Sequence, residues 1–197
     1  EFNVKNRKQN GVCTMFYKSG RKKVESEYKD GKLNGKHIQY FVNGQKEFES
    51  YFINQKEHGI STVFRKNGNK KVKFTYKNGK LNGMTTYYYE NGKREMSFEY
   101  IDGVETGFQI EYDKKGNKVT ECNFINGQLS GPKTDYYPNG KVMFQGNFKD
   151  GVLHGKTTNH YENGDISTTI FNVGNPTLRI DRDDTKVTLK EFIKKVI

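Results

Sequence analysis

The chain has 197 residues, with 34 Lys and Arg against 23 Asp and Glu, and its formal net charge is +11 at pH 7. Hydrophobic residues make up 32% and aromatic residues 14% of the chain, which argues against disorder, because disordered segments are depleted in aromatic side chains. No apolar run approaches the roughly 18 residues of a membrane-spanning helix. The basic excess predicts affinity for anionic surfaces; lysine that only protects exposed strands is the alternative.

The sequence begins with Glu1-Phe2, a dipeptide that a common cloning site would encode. We therefore expect the natural N-terminus to be missing, and no signal peptide is visible. The compartment stays open, with the cell envelope or secretion favoured over the cytoplasm.

A period of 24 residues governs the chain from residue 11 to about residue 174. Glycine recurs at this spacing in three columns, although Gln55 replaces one member of the third column. Aromatic residues recur in two further columns, which begin at Phe16 and Tyr28. The first glycine column comprises Gly20, Gly44, Gly68, Gly92, Gly116, Gly140 and Gly164. Such registry predicts a repeat array, in which each unit contacts its neighbours.

Each repeat reads as a β-hairpin. In the copy after Gly83, residues 84–89 alternate with period two, Asn91-Gly92 marks a turn, and residues 94–100 form the return strand. A three-residue loop with glycine in the left-handed region would pair Tyr88 with Arg94 and Thr86 with Met96. This pairing predicts one shared apolar face for both strands and a positive φ at Gly92 and its equivalents.

The predicted fold is all-β: an elongated, single-layer antiparallel β-meander of about seven hairpins of 24 residues, followed by a short C-terminal α-helical cap. The repeat array is assigned to residues 1–174 and the capping segment to residues 175–197. Thr188 and Glu191 have the spacing of a capping box. A helix from there would align Leu189, Phe192, Ile193 and Val196 on one face. We expect this helix to cover the open end of the sheet, with a membrane anchor as the alternative.

One basic column is the candidate binding surface. It follows each hairpin glycine and is predicted to point to the aromatic face, beside three tyrosines. Its members are Lys22, Lys46, Lys70, Arg94 and Lys118, and the tyrosines are Tyr40, Tyr88 and Tyr112. Cations beside aromatic rings in every repeat would form a basic groove for acidic lipid headgroups, nucleic acid or an acidic protein segment. Alternatively, each lysine only covers its tyrosine.

Catalytic, metal and cofactor sites are not expected. The glycines lack the spacing of a phosphate-binding loop, and no Ser-His-Asp or Cys-His set is evident. The carboxylate column is interpreted as a solvated stripe on the face opposite the lysines, and its members are Glu25, Glu49 and Glu121. Cys13 and Cys122 are predicted on opposite faces in distant copies, which excludes a disulfide between them.

The pattern aromatic-x-x-Gly-x-x-x-Gly-x-x-x-x-aromatic-aromatic-x-Asn-Gly, as in residues 76–92, resembles the MORN repeat (membrane occupation and recognition nexus). It is more similar to the variant MORN repeat common in bacteria, because the chain has no Trp and only residues 144–148 approach the standard unit. The resemblance implies an elongated scaffold or binding surface, as in bacterial antitoxin-like arrays. Such repeats also lie beside the catalytic domain of plant phosphatidylinositol phosphate kinases, but nothing here resembles that kinase.

These observations favour a non-enzymatic scaffold that binds a protein partner through the repeated Tyr/Lys face. A peripheral binder of anionic, phosphoinositide-like membranes is the alternative, and an enzyme is the third and least favoured hypothesis. No nucleic-acid partner and no cofactor are expected, and the chain is expected to be a monomer.

Overall fold

The structure, a computed structural model, describes residues 3–5, 8–180 and 186–188. Every element in these ranges is a β-strand, and the strand pairings are antiparallel. The chain divides into two compact units, Glu1–Val104 and Glu105–Ile197. The all-β antiparallel meander predicted from the repeats is thus confirmed. No helix occurs among the described residues, and none there could span a bilayer.

Within each unit, the strands follow one another in chain order and form successive hairpins. The first unit contains β1 (Asn3–Lys5), β2 (Lys8–Phe16), β3 (Lys22–Lys29), β4 (Lys32–Tyr40), β5 (Lys46–Ile53), β6 (Lys56–Glu57), β7 (Gly59–Phe64), β8 (Lys70–Lys77), β9 (Lys80–Leu81), β10 (Gly83–Tyr88) and β11 (Arg94–Ile101). After β12 (Val104–Glu105), the second unit contains β13 (Gly107–Tyr112), β14 (Lys118–Ile125), β15 (Gln128–Tyr136), β16 (Val142–Lys149), β17 (Val152–Leu153), β18 (Gly155–His160), β19 (Ile166–Asn172), β20 (Asn175–Ile180) and β21 (Lys186–Thr188).

The longer turn of each repeat has the predicted form. Between β10 and β11, the amide of Gly92 donates to the carbonyl of Tyr89 at 3.0 Å, and the amide of Tyr89 donates to the carbonyl of Lys93 at 2.9 Å. Gly92 has a φ of +81°, and Gly20 and Gly44 have φ values of +79° and +89°. The positive φ predicted for this glycine column is confirmed, because only glycine adopts that region without strain.

The strand register differs from the prediction one step beyond the turn. Tyr88 pairs with Arg94 as expected, but Tyr87 pairs with Met96 and Thr86 with Ser97, so Glu95 is the extra residue of a β-bulge. The predicted pairing of Thr86 with Met96 is therefore wrong. A bulge reverses the faces of all residues beyond it.

The two aromatic columns consequently lie on opposite faces of the sheet, and the single apolar face predicted for them is wrong. In the first hairpin, Phe16 pairs with Lys22 on one face, whereas Gly11 pairs with Tyr28 on the other. Here the face that carries the basic column is called the lysine face, and the opposite face, which carries Ser26 and Ser50, is called the serine face.

The hairpin formed by β18 and β19 lacks the bulge. Gly155 pairs with Phe171 and His160 with Ile166 in one continuous register, without a bulge. The following turn glycine is Gly174, one residue earlier than the 24-residue period predicts. This repeat is thus one residue shorter than the others, and the missing residue is the extra residue of the bulge.

The shorter turns join successive hairpins through two residues that both have positive φ. Asn78 and Gly79 have φ values of 53° and 83°, the signature of a type I′ turn. At the equivalent turn, Asn54 and Gln55 have φ values of 49° and 68°. Gln55 therefore occupies a left-handed conformation that the other repeats assign to glycine.

The C-terminal prediction falls mostly outside the described residues. Thr188 is the last residue of β21, where it pairs with Leu178. Residues 189–197, which carry the predicted helical cap with Leu189, Phe192, Ile193 and Val196, lie outside the described part of the chain. The capping segment at residues 175–197 stays a prediction, and β20 occupies its first residues.

Candidate partner-binding face

The lysine face places the predicted basic column directly opposite the aromatic column. Because paired residues of antiparallel strands point to the same side, each cation lies beside its aromatic partner. The pairs are Phe16 with Lys22, Tyr40 with Lys46, Phe64 with Lys70, Tyr88 with Arg94, and Tyr112 with Lys118. The predicted juxtaposition of cation and aromatic side chain is present; a binding role for these residues stays a prediction.

Three lysines of this column are engaged in ion pairs with a glutamate three residues later. Lys46 Nζ lies 2.9 Å from Glu49 Oε1, and Lys118 Nζ lies 2.6 Å from Glu121 Oε2. Lys22 and Glu25 form the same pair. The glutamates thus share a face with the lysines, and their assignment to the opposite face was wrong because the bulge reverses the register. At these places the lysine charge is compensated locally.

The fifth hairpin holds its carboxylate from two sides. Glu121 accepts a hydrogen bond from Lys118 and another from the phenol of Tyr136, which belongs to the next hairpin. The Lys118 hydrogen bond, followed by that of Tyr136, lowers the pKa of Glu121. The same bonds to Glu121 raise the pKa of Lys118 and of Tyr136. A lysine and a tyrosine of successive hairpins therefore form a carboxylate clamp.

The third hairpin departs from this arrangement. Lys73, three residues after Lys70, stands where the first, second and fifth hairpins carry glutamate. Lys70 Nζ lies 6.0 Å from the centroid of the Tyr88 ring, within range of a cation–π interaction. Neither lysine forms an ion pair within the described residues. Two uncompensated cations therefore lie together on the lysine face.

Exposed apolar side chains lie on the same face, one step along the strands from Lys73. Ile60 pairs with Thr75, whose hydroxyl donates to the carbonyl of Met84 at 2.9 Å. Thr75 is two residues from Lys73, and Met84 is two residues from Thr86, which pairs with Lys73. Ile60 and Met84 therefore share the lysine face. Ile60 is 52% and Met84 is 42% exposed. This part of the face combines positive charge with accessible apolar surface.

The serine face carries a hydrogen-bonded Ser-His pair that the sequence did not reveal. Ser26 Oγ and His37 Nδ1 are 2.7 Å apart across paired strands, and His37 Nε2 lies 3.1 Å from the side-chain nitrogen Nε2 of Gln39. Ser26 is only 4% exposed, and an amide replaces the carboxylate that would orient a catalytic base. The pair therefore cross-links two strands. Only the strand register, which places residues 26 and 37 opposite each other, could have predicted it.

The neighbouring serines continue this polar network. Ser50 Oγ and Ser61 Oγ are 2.6 Å apart, and Glu57 Oε1 lies 3.2 and 3.3 Å from them. Because each hydroxyl has one proton, one serine donates to the other, and the second donates to Glu57. Burial lowers the pKa of His37, and the negative charge of Glu57 opposes this shift. The Ser50 and Ser61 hydroxyls and the His37 ring are thus bonded within the sheet.

In the second unit, the serine face borders an open cavity of about 430 Å³ lined by residues that include Gln109, Cys122 and Lys133. Lys133 Nζ forms an ion pair with Asp135 at 2.8 Å. Burial raises the pKa of Cys122 to about 11, which disfavours the reactive thiolate. Cys13 and Cys122 are both buried and unbridged; each lies on the serine face of its hairpin, contrary to the opposite faces predicted.

Metal-ligating residues do not converge among the described residues: no group of three or more His, Cys, Asp or Glu side chains there could hold an ion. The four histidines are His37, His58, His154 and His160. The amide of Val173 approaches His154 Nδ1 at 3.4 Å, and the carbonyl of His160 accepts the Tyr137 hydroxyl at 2.8 Å. The interactions of these two histidines are therefore local.

The comparison with curated proteins gives no match. Among solved structures, a chain of the "Crystal structure of GtfA/B complex bound to UDP and GlcNAc" is similar, with 11% identity and a TM-score of 0.27. The match covers 56% of this chain and 22% of that chain, so the present chain spans less than a quarter of its length. A similarity at this TM-score carries no argument about function.

The family model described as "MORN repeat variant" matches residues 9–30, 57–78, 81–102 and 129–150. Each segment includes both strands of one bulged hairpin: β2–β3, β7–β8, β10–β11 and β15–β16. Repeats of this family generally act in molecular interaction or membrane binding and are generally not catalytic. These four hairpins therefore match the variant MORN repeat, as the sequence pattern predicts.

Proposed function

We propose that the chain is a non-enzymatic scaffold that binds a protein partner through its lysine face. The observation that carries this proposal is the third hairpin, where Lys70 and Lys73 have no carboxylate partner within the described residues. Exposed Ile60 and Met84 lie on the same face, near Lys73. Protein interfaces combine such apolar contacts with charged groups that steer and orient the partner.

Binding to anionic phospholipid membranes is the second candidate. The formal net charge of +11 and the exposed apolar side chains beside lysines favour it. Juxtamembrane lysines contribute about 1 kcal/mol each near an anionic surface, and this attraction weakens within a Debye length. Co-sedimentation with vesicles that contain phosphatidylserine or phosphoinositide separates the two candidates, because a pure protein binder stays in the supernatant when the vesicles are pelleted.

A charge-reversal experiment tests the proposal. The immobilised chain is compared with a Lys70→Glu/Lys73→Glu variant in the capture of partner proteins from source-cell extract. A Lys29→Glu/Lys32→Glu variant is the matched control, because it makes the same charge change at exposed lysines that flank the Asp30-Gly31 turn.

We expect the first variant to lose a partner that the wild type and the control both retain, with unchanged circular dichroism for all three. Equal loss in both variants would indicate attraction by net charge alone. Equal retention of the partner by both variants would exclude the lysine face of the third hairpin as the binding surface.

A further inference from the structure

The lysine face repeats one local arrangement in successive hairpins. A cation begins the return strand, a second side chain follows three residues later, and an aromatic residue of the next hairpin, tyrosine except at Phe64, lies on the same face. In the fifth hairpin these residues are Lys118, Glu121 and Tyr136, and both outer side chains donate hydrogen bonds to the carboxylate. The chain itself thus shows that a carboxylate is the group this arrangement holds.

The third hairpin keeps the outer residues and changes the central one. Lys70 and Tyr88 correspond to Lys118 and Tyr136, whereas Lys73 takes the place of Glu121. The Lys70 ammonium lies near the Tyr88 ring, as the 6.0 Å distance to its centroid shows. An arrangement that pairs its cation with an internal glutamate in the first, second and fifth hairpins holds two positive charges here, so an external carboxylate complements it.

Resting on the partner-binding role proposed above, we infer that Lys70, Lys73 and Tyr88 bind an aspartate or glutamate side chain of an acidic segment in the partner protein. Charge-assisted hydrogen bonds from lysine to carboxylate are about twice as strong as neutral ones. The partner's carboxylate takes the role that Glu121 has in the fifth hairpin. Its neighbouring apolar side chains contact Ile60 and Met84, which are both exposed on the same face.

The apolar rim favours a protein segment over a free anion. Ile60 and Met84 lie on either side of Thr75, two residues along the strand from Lys73. A segment that carries a carboxylate and, beside it, an aliphatic side chain complements both features, whereas inorganic phosphate contacts only the lysines. Binding of a membrane headgroup is the competing result in the test.

The probe is a fluorescent peptide of Glu-Glu-Val repeats, with Gln-Gln-Val repeats as the uncharged control. We expect the full chain to bind the acidic peptide and to bind the control at least about tenfold more weakly, the effect of about 1.4 kcal/mol. Lys73→Glu restores the internal ion-pair spacing seen at Lys22 and Glu25. This variant is expected to weaken acidic-peptide binding at least about tenfold while its melting temperature stays at or above that of the wild type.

A gain-of-function variant provides the converse test. Glu25→Lys gives the first hairpin two cations, Lys22 and the new lysine, beside Tyr40, and we expect it to raise the number of acidic peptides bound per chain. Failure of the wild type to prefer the acidic peptide, or full binding by Lys73→Glu, would overturn the inference. Binding to phosphatidylserine vesicles that Lys73→Glu abolishes, without any peptide binding, would also overturn it in favour of a membrane.

The two proposals fail separately. If the acidic peptide does not bind but partner capture still depends on Lys70 and Lys73, the scaffold proposal stands and only the carboxylate inference is wrong. If capture is also independent of these lysines, the proposed function fails as well.

Discussion

Ser50 and Ser61 face each other on neighbouring strands, with their hydroxyl oxygens 2.6 Å apart and each side chain 1% exposed. We predict that Ser50→Ala and Ser61→Ala each lower the free energy of unfolding by about 1 kcal/mol, with a coupling of about 0.5–1.5 kcal/mol in the double-mutant cycle. Urea denaturation measures these values. Thr86 and Ser97, whose hydroxyls are 3.4 Å apart, form the matched control pair, for which we expect a smaller coupling. Strict additivity at Ser50 and Ser61 would contradict a shared hydrogen bond.

Gln55 is the residue that departs most clearly from the turn chemistry of its repeats. It has a φ of 68°, whereas the equivalent Gly79 has a φ of 83°. A side chain in the left-handed region costs about 1–2 kcal/mol, so Gln55→Gly should stabilise the chain by about 1 kcal/mol. Gly79→Gln is the reciprocal control and should destabilise it similarly. Thermal denaturation provides the comparison, and a lower melting temperature for Gln55→Gly would contradict the turn assignment.

His37 should make stability depend on pH. Burial lowers its folded-state pKa below the ordinary value of 6.5, so the unfolded chain binds more protons in this range. The contribution of His37 is therefore fully present above about pH 6.5 and decreases as the pH falls through that value toward the lower folded pKa. Unfolding measured between pH 7.5 and about 5 should show this decrease, and His37→Gln should reduce the slope. An unchanged slope in the variant would assign the effect to other groups.

Cys122 should resist alkylation in the folded chain. Its pKa rises from 9.0 to about 11 through burial, so about a hundredfold less thiolate is present at neutral pH. A Cys13→Ala background isolates its reaction with iodoacetamide, which we expect to be at least about a hundredfold slower than in urea. Equal rates in the folded and unfolded chains would mean that the serine face opens readily around Cys122.

The repeat period predicted the fold because glycine at a left-handed turn position is a local requirement. Gly92 needs a positive φ whatever lies beyond its hairpin, and its φ of +81° agrees with the sequence pattern. The bulge at Glu95 is different, because any side chain can occupy an extra residue in a strand. No residue type marks it, and one missed bulge placed two columns on the wrong face.

The candidate site was likewise only partly predictable from the sequence. The proximity of Lys70 and Tyr88 followed from their columns, whereas the ion pair of Lys46 with Glu49 required the true register. The distinction between compensated and uncompensated lysines therefore became visible only in the structure. Once the register is known, the sequence signal is simple: Lys73 is the one basic residue in a column that holds Glu25, Glu49 and Glu121.

Site-specific photo-crosslinking tests the central claim, partner binding through the lysine face, most directly. A photoreactive residue replaces Ile60 on the lysine face or Met15 on the serine face; these side chains are almost equally exposed, at 52% and 53%. After capture from source-cell extract, we predict a crosslinked partner from position 60 that Lys70→Glu/Lys73→Glu abolishes, and none from position 15. A crosslink from position 15 alone, or one from position 60 that survives the charge reversal, would contradict the account.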